Sequence, residues 1–352
     1  MEEFLTIKEA AERLGVSSDT LRRWDKSGKF VSARHPFNNH RVYTISQVET
    51  LVNELEYNLN TPSGPAIEKP AHFTTQFGKL YNRDAIEFLK SLEASSVDLV
   101  FADPPYNIKK AEWDTFDSQK QYVDWSYQWI REASRILKPT GSLYVCGFSE
   151  ILADIKWAAS PLFEGCKWLV WYYRNKANLG NDWGRSHESI IHLRKSKEHV
   201  FNIDGVRIPY NAHTLKYPTR PQAKTSQYGN GKEYLWSPNP NGAKPKDVLE
   251  IPTISNGAWE RYAHPTQKPV ELLRKIILAS SVKGSTVVDP FGGSGTTYAV
   301  AEALERNWIG NELSREYCKL IKSRLTDKDH IERVREAKDE QESAKRRVRL
   351  KG

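Results

Sequence analysis

The sequence is poor in cysteine, and the three it has, Cys146, Cys166 and Cys318, are far apart. No Cys-x-x-Cys pair exists, which excludes a zinc ribbon and a dithiol redox motif. The odd number and the lack of a signal peptide at the start lead us to expect a reducing, cytoplasmic setting. No apolar run approaches the roughly 20 residues that cross a bilayer, so no membrane is expected as a partner. The histidines and cysteines gather in no ligand cluster, so no metal is expected. There is no internal repeat.

What the chain does have is length, basic charge and aromatics. Its 352 residues, 39% of them hydrophobic, suit one large domain with a small one. Lys and Arg number 52 against 44 Asp and Glu, a net charge of +8 that favours polyanions such as nucleic acid. The 11 Trp and 16 Tyr serve either packing or the stacking of bases.

Composition divides the chain into a compact helical unit (1–55), a polar Pro- and Gly-bearing linker (56–75), a region alternating apolar strands with helical patterns (76–325), and a charged tail without aromatics (326–352), expected to be a solvated helix. The alternation in 76–325 predicts a largely parallel sheet with helices on both faces. In the first unit Ile7, Ala10, Ala11 and Leu14 share one helical face. Gly15 ends that helix, and Ser17 caps a second one running from Asp19 to Ser27. The second helix carries Arg22, Arg23 and Lys26, and a basic segment ending in Arg41 and Tyr43 follows as a β-wing. Helix, tight turn and basic helix is the arrangement that enters the major groove, although a small helical unit also serves protein contacts.

Two motifs carry chemistry. Val97 to Ala102 is an apolar strand that must stop at Asp103, because Pro104 and Pro105 lack an N–H and fix φ. It therefore delivers Asp103, the Pro104 carbonyl and Tyr106 to the carboxyl edge of the sheet, where open α/β folds bind ligands. A carboxylate and a carbonyl side by side accept two hydrogen bonds from an NH₂ group, and Tyr106 can stack on the ring that bears it. A base would have to leave its duplex to reach them. The alternative is a strand end whose Asp caps the next helix. The second motif is a β-branched strand running into Asp289-Pro290-Phe291-Gly292-Gly293-Ser294-Gly295-Thr296-Thr297 and then a helix. No Gly-Lys-Ser/Thr follows, so this is no P-loop. Glu312 ends the next strand at about the 20-residue spacing that places a carboxylate on ribose hydroxyls. These features admit any adenosine-bearing cofactor, NAD included.

Asp103–Tyr106 resembles motif IV of the amino methyltransferases of DNA, Asp289–Thr297 their motif I, and Glu312 the acid of motif II. His264-Pro265-Thr266-Gln267-Lys268-Pro269 is similar to motif X and Asn82–Leu89 to motif III, although Arg83 stands where the family has Gly. The order, with the catalytic motif before the cofactor motif, is that of the β group. Residues 170–195, with Trp171, Asn175, His187-Glu188-Ser189 and Lys195, resemble the region lining the target-base pocket. Residues 198–261 match the target-recognition region in position, or else form a decorated surface loop. Leu5–Ala11, Gly15–Ser17, Thr20–Trp24 and Arg41–Tyr43 resemble the MerR and excisionase type of winged helix.

The resemblance implies a Rossmann-like seven-stranded sheet. It also implies direct transfer of methyl from S-adenosylmethionine to the 6-amino group of adenine, or to the 4-amino group of cytosine. Catalysis falls to Asp103, Pro104, Pro105 and Tyr106, and cofactor binding to Asp84, Phe101, Asp103, Thr266, Lys268, Asp289, Phe291, Gly292, Gly293, Gly295, Thr296 and Glu312. Double-stranded DNA is the implied partner, met in the prokaryotic nucleoid, and Arg22, Arg23, Lys26 and Arg41 are the candidate contacts of the winged helix. MerR relatives and β-group enzymes often form homodimers, and a restriction endonuclease partner would be encoded elsewhere. A DNA-binding regulator without activity and an RNA methyltransferase are the other readings. If the winged helix anchors DNA, deleting residues 1–60 weakens binding and flattens its salt dependence in a fluorescence titration. An unchanged salt slope excludes that role.

Overall fold

A computed structural model describes residues 4–26, 28, 30–35, 38–49, 51, 70–107, 114–173, 181, 183–225 and 231–337. The chain forms two compact units, Met1–Ala66 and Ile67–Gly352.

In the first unit, β1 (Phe4–Thr6) leads into α1 (Ile7–Arg13), whose start is fixed by a capping box: Thr6 Oγ1 accepts from the Glu9 N–H, and the Glu9 carboxylate accepts from Thr6 N–H. Gly15 turns the chain with φ of 66°, and the Ser17 hydroxyl accepts from Thr20 N–H to open α2 (Ser18–Lys26). β2 (Ala33–Arg34) and β3 (Arg41–Thr44) form the wing, in a three-stranded sheet ordered β1-β3-β2. Ala10, Leu14, Leu21, Tyr43 and Val48 close its core, with Ile7 packed against them. Residues 45–49 are helical, which the sequence reading did not anticipate.

The second unit runs β4 (Phe73–Thr74), β5 (Gly78–Tyr81), α3 (Ala85–Lys90), β6 (Val97–Ala102), α4 (Gln119–Ile136), β7 (Leu137–Gly147), α5 (Ser149–Ala159), β8 (Gly165–Tyr172) and β9 (His187–Arg194). It continues with α6 (Ala212–Lys216), β10 (Arg220–Gln222), β11 (Tyr234–Trp236), β12 (Val248–Glu250), α7 (Val270–Ser280), β13 (Thr286–Asp289), α8 (Thr296–Ala303), β14 (Asn307–Asn311), α9 (Arg315–Thr326) and α10 (Lys328–Glu336). The main sheet has nine strands in the order β12-β8-β9-β7-β6-β13-β14-β5-β4. The seven from β8 to β5 are the expected Rossmann-like core, and β12 and β4 are short additions at its two edges. β7, β6, β13, β14 and β5 are mutually parallel, and β9 runs antiparallel between β7 and β8. Helices cover both faces, α3, α4 and α5 packing as one group and α7, α8 and α10 as another.

β6 is the central strand. Val97 and Leu99 to Ala102 are buried on both faces, hence the unbroken apolar run. Its one acid, Asp98, joins three strands: it accepts from Lys138 Nζ at 2.8 Å on β7 and from Thr286 N–H at 2.8 Å on β13.

Two boundaries differ from expectation. Residues 56–69 of the predicted linker lie outside the described residues, and its end is already sheet, because Phe73 and Thr74 pair with Leu80 and Lys79. The tail is not wholly solvated. In α10 His330 and Val334, four apart, are buried, and Arg274 Nη1 donates to the Val334 carbonyl at 3.0 Å. Two inward residues in a charged helix suffice to dock it. Residues 338–352 lie outside the described residues.

Gly78 lies against the indole of Trp308, where an added Cβ would come within 2.1 Å of the ring. Trp308 is fully buried and stacked on Tyr298 at 5.0 Å, so it cannot yield. Gly78→Ala is expected to lower stability by about 1–3 kcal/mol, the cost of overpacking a filled core, in chemical denaturation. An unchanged midpoint would show that the indole has room to move.

Candidate active site

β6 and β13 are hydrogen-bonded neighbours, with Val287 opposite Leu99 and Val288 opposite Val100. β14 flanks β13, with Asp289 opposite Gly310. Three parallel strands side by side therefore deliver Asp103, the glycine loop and Glu312 to one edge of the sheet. They line one cavity of about 360 Å³.

The loop after β6 is anchored at the Pro105–Tyr106 peptide. Tyr106 N–H donates to Asp114 Oδ1 at 2.7 Å, and the Tyr122 hydroxyl donates to the Pro105 carbonyl at 2.6 Å. The Asp103 carboxylate is held from both sides. Tyr106 OH donates to Oδ1 at 2.6 Å, and Lys268 Nζ donates to Oδ2 at 2.7 Å. Glu188 joins the group from β9, with Oε2 3.2 Å from Tyr106 OH and 3.4 Å from Lys268 Nζ. Burial pushes the Asp103 carboxyl above its ordinary range, against the pull of the ammonium. For Lys268 burial works the other way, but Asp103 and Glu188 outweigh it and keep the lysine charged. The Tyr106 ring meets Phe148 edge-on at 5.1 Å.

The glycine loop is built around Asp289, whose Oδ1 accepts from Phe291 N–H at 2.9 Å and whose Oδ2 accepts from the Thr297 hydroxyl at 2.6 Å. Burial lifts its carboxyl to about 7. Gly293 takes φ of 52°, and an added Cβ would approach the His264 ring to 3.1 Å. Its N–H donates to Glu312 Oε2 at 2.7 Å, while Ser314 N–H donates to Oε1 at 2.8 Å. Behind the loop sits Arg324, fully buried. Its Nη1 donates to the Ser294 carbonyl and to Thr296 Oγ1, and its Nε to His330 Nε2 at 2.9 Å. Burial holds His330 down to about 4, so the imidazole is neutral and accepts that bond.

The cavity wall bears on the cofactors the sequence left open. Asp84, Asp103, Asp114, Asp289 and Glu312 contribute five carboxylates, and among the described lining residues Lys268 is the one ammonium. Burial holds His264, also on the wall, down to about 4, hence neutral. Such a wall repels a diphosphate and suits a cationic ligand with hydroxyl groups. S-adenosylmethionine, a sulfonium with a ribose, fits the described wall.

Of the predicted cofactor residues, Asp84, Phe101, Thr266, Phe291, Gly292, Gly293, Thr296 and Glu312 line the cavity with Asp103. Asp84 Oδ1 also caps α3, accepting from the N–H groups of Ile86 and Glu87. Gly295 does not line it: it is the left-handed N-cap of α8, packed against Ile321. Lys268 lines the cavity, but its ammonium serves Asp103. Trp171 is buried and donates to the Ile251 carbonyl, whereas Lys195 bonds Ser134 Oγ away from the cavity. Asn175 lies outside the described residues. Tyr317, Phe116 and Trp125, on the cavity wall, had no sequence signal. The described residues of 198–261 are mostly irregular, with β10 and β11 paired and Arg220 lying 5.0 Å over Trp236.

In the winged-helix unit Arg23 and Lys26 are exposed on α2. Arg22 is paired with Asp19 on the same helix. Arg41 is engaged: its Nε donates to Asp25 Oδ2 at 2.6 Å, and Asp25 also accepts from Ser32 N–H, which with Arg41 holds its carboxyl down to about 2. Arg41 thus ties the wing to α2.

Comparison with known proteins agrees with this geometry. Residues 97–323 match the DNA methylase model of the N6 and N4 enzymes, and residues 6–43 match that of MerR family regulatory proteins. Type II methyltransferase M1.MboII of Moraxella bovis is 35% identical over 257 residues, 69% of this chain and 94% of that protein. DNA adenine methyltransferase YhdJ of Escherichia coli (strain K12) is also 35% identical, over 74% of this chain and 87% of its own length. The structure of PvuII DNA methyltransferase (cytosine-N4-specific) superposes with a TM-score of 0.56 at 22% identity, covering 77% of this chain and 97% of that one, which supports the fold. With its catalytic and glycine-loop strands side by side and relatives matched over most of their length, the chain belongs to the N6/N4 DNA methylase family of S-adenosylmethionine-dependent methyltransferases.

Proposed function

We propose that this protein methylates the 6-amino group of adenine at a specific site in double-stranded DNA, acting on a base turned out of the helix. The observation that carries this reading is the single cavity shared by Asp103–Tyr106 and the glycine loop. Asp103 accepts one amine hydrogen and the Pro104 carbonyl the other, which directs the nitrogen lone pair at the methyl donor. Tyr106 stacks on the base. The loop around Gly292 and Gly293 lets the cofactor approach the backbone, and Glu312 holds its ribose hydroxyls. S-adenosylmethionine supplies an electrophilic methyl group on a sulfonium. Catalysis then rests on alignment and on negative charge near the nitrogen that becomes cationic.

Direct transfer is supported by Cys146. It lies on β7 near Asp103, but it is buried and its thiol is pushed well above the ordinary range, so it is no thiolate nucleophile. Adenine is favoured over cytosine by Asp rather than Ser ahead of the two prolines, and the YhdJ relative is named as an adenine enzyme. The MerR-like unit, through Arg23 and Lys26, adds affinity or directs the enzyme to particular sequences.

Nucleoside analysis by mass spectrometry of DNA treated with the protein is expected to give N6-methyladenine; methylcytosine alone would overturn the choice of base. Asp103→Ala is expected to lower kcat by roughly 10²–10³-fold, the scale of removing one preorganised electrostatic group. Gly293→Ala is expected to weaken cofactor binding about tenfold in calorimetry, because a left-handed residue with a Cβ costs roughly 1–2 kcal/mol. An unchanged dissociation constant would separate this backbone from the cofactor.

A further inference from the structure

The motif that carries Lys268 leads one to expect a cofactor contact, yet its ammonium is turned to the other side of the site. Nζ lies 2.7 Å from Asp103 Oδ2 and 3.4 Å from Glu188 Oε2. The rings of Tyr106 and Trp171 flank it, their centroids 5.3 and 5.9 Å away. The three charged side chains are nearly dry, at 6%, 16% and 15% exposure for Lys268, Asp103 and Glu188. Tyr106 OH bridges the two carboxylates at 2.6 and 3.2 Å.

Two carboxylates this deep cannot both stay ionised without a cation between them. The other titratable groups facing Asp103 do not supply one. Tyr106 and Cys146 on β7 are kept neutral by burial, Tyr122 on α4 is a phenol, and Asp289 at the end of β13 is a further acid. If Lys268 met Asp103 alone, it would satisfy the carboxylate and leave it a poor acceptor for a substrate amine. Glu188 on the far side of the ammonium draws part of that charge away.

We propose that Lys268 and Glu188 are positioning residues for the amine acceptor: Lys268 keeps Asp103 ionised and fixes its rotation, and Glu188 shares the ammonium so that Asp103 can still accept from the target base. This rests on the methyltransferase reading above. It assigns Glu188 a role in the reaction, and Lys268 one directed at the substrate side.

The test is the pH dependence of single-turnover methyl transfer, with circular dichroism and cofactor titration as controls. In Lys268→Met the two carboxylates share a proton. The acid limb of the rate profile is expected to move up by roughly one pH unit or more, the usual effect of losing an opposite charge at this range. Lys268→Arg is expected to keep the limb in place. In the double variant K268M/E188Q one buried carboxylate remains, and the limb is expected to return part of the way. In Glu188→Gln the ammonium turns wholly to Asp103, so the limb moves down and the rate falls. The proposal is overturned if the limb stays put in K268M, if the double variant is no better than K268M, or if K268M only weakens cofactor binding. If K268M does not fold, E188Q decides, and an unmoved limb there overturns the proposal. Failure of the underlying reading looks different: the wild-type protein then methylates no base in duplex DNA.

Discussion

The pairing of β6 with β13 is the constraint on which the site depends. Each strand ends in an acid, Asp103 or Asp289, followed by residues that cannot continue a strand. Because the two strands are parallel and in contact, both ends reach the same edge. The proline loop and the glycine loop then face each other across one cavity, although the chain travels through four other strands of the main sheet between them. Asp98 reinforces the arrangement from below, bonding Lys138 on β7 and the first N–H of β13.

Within that cavity the organising force is electrostatic. Its described wall is rich in carboxylates, which favours a cationic ligand, and Asp103, Glu188 and Lys268 are buried, which makes each of those charges strong. The protein uses one ammonium, Lys268, to make the acid at the catalytic corner tolerable. Elsewhere it spends carboxylates on backbone N–H groups: Asp289 shapes the glycine loop, Asp84 caps α3, and Glu312 joins Gly293 to Ser314. The residues that look like ligand contacts are thus also the ones that hold the loops in shape. Arg324 extends this to the rear of the loop, where it ties the start of α8 to α10 through a neutral His330.

Much of the site was legible because its signals are local. Two prolines stop a strand wherever they occur, glycines permit a positive φ at Gly293, and Ser17 can cap the helix that follows it. The residues that escaped notice or were misplaced have partners distant in sequence. Glu188, on β9, was named for the target-base pocket, but that resemblance did not pair it with Lys268. Lys268 sits in a motif whose spacing says nothing about which way the side chain turns. Arg41 was read as a DNA contact, and its bond to Asp25, 16 residues earlier, had no signal in the sequence. The tail looked solvated because its composition is charged, but the burial of His330 and Val334 and the bonds from Arg274 and Arg324 join α10 to the rest of its unit.

By itself the sequence determined the class of chemistry: an amine acceptor at a strand end, a cofactor loop at another, their order along the chain, and a separate helical unit before them. Those properties follow from covalent geometry and from neighbours a few residues away. Tertiary structure alone decided that the two strand ends lie side by side, that carboxylates from four different segments line one cavity, and that Lys268 and Glu188 converge on Asp103. Strand order and burial bring these groups together, and the strength of a charge depends on what surrounds it in space.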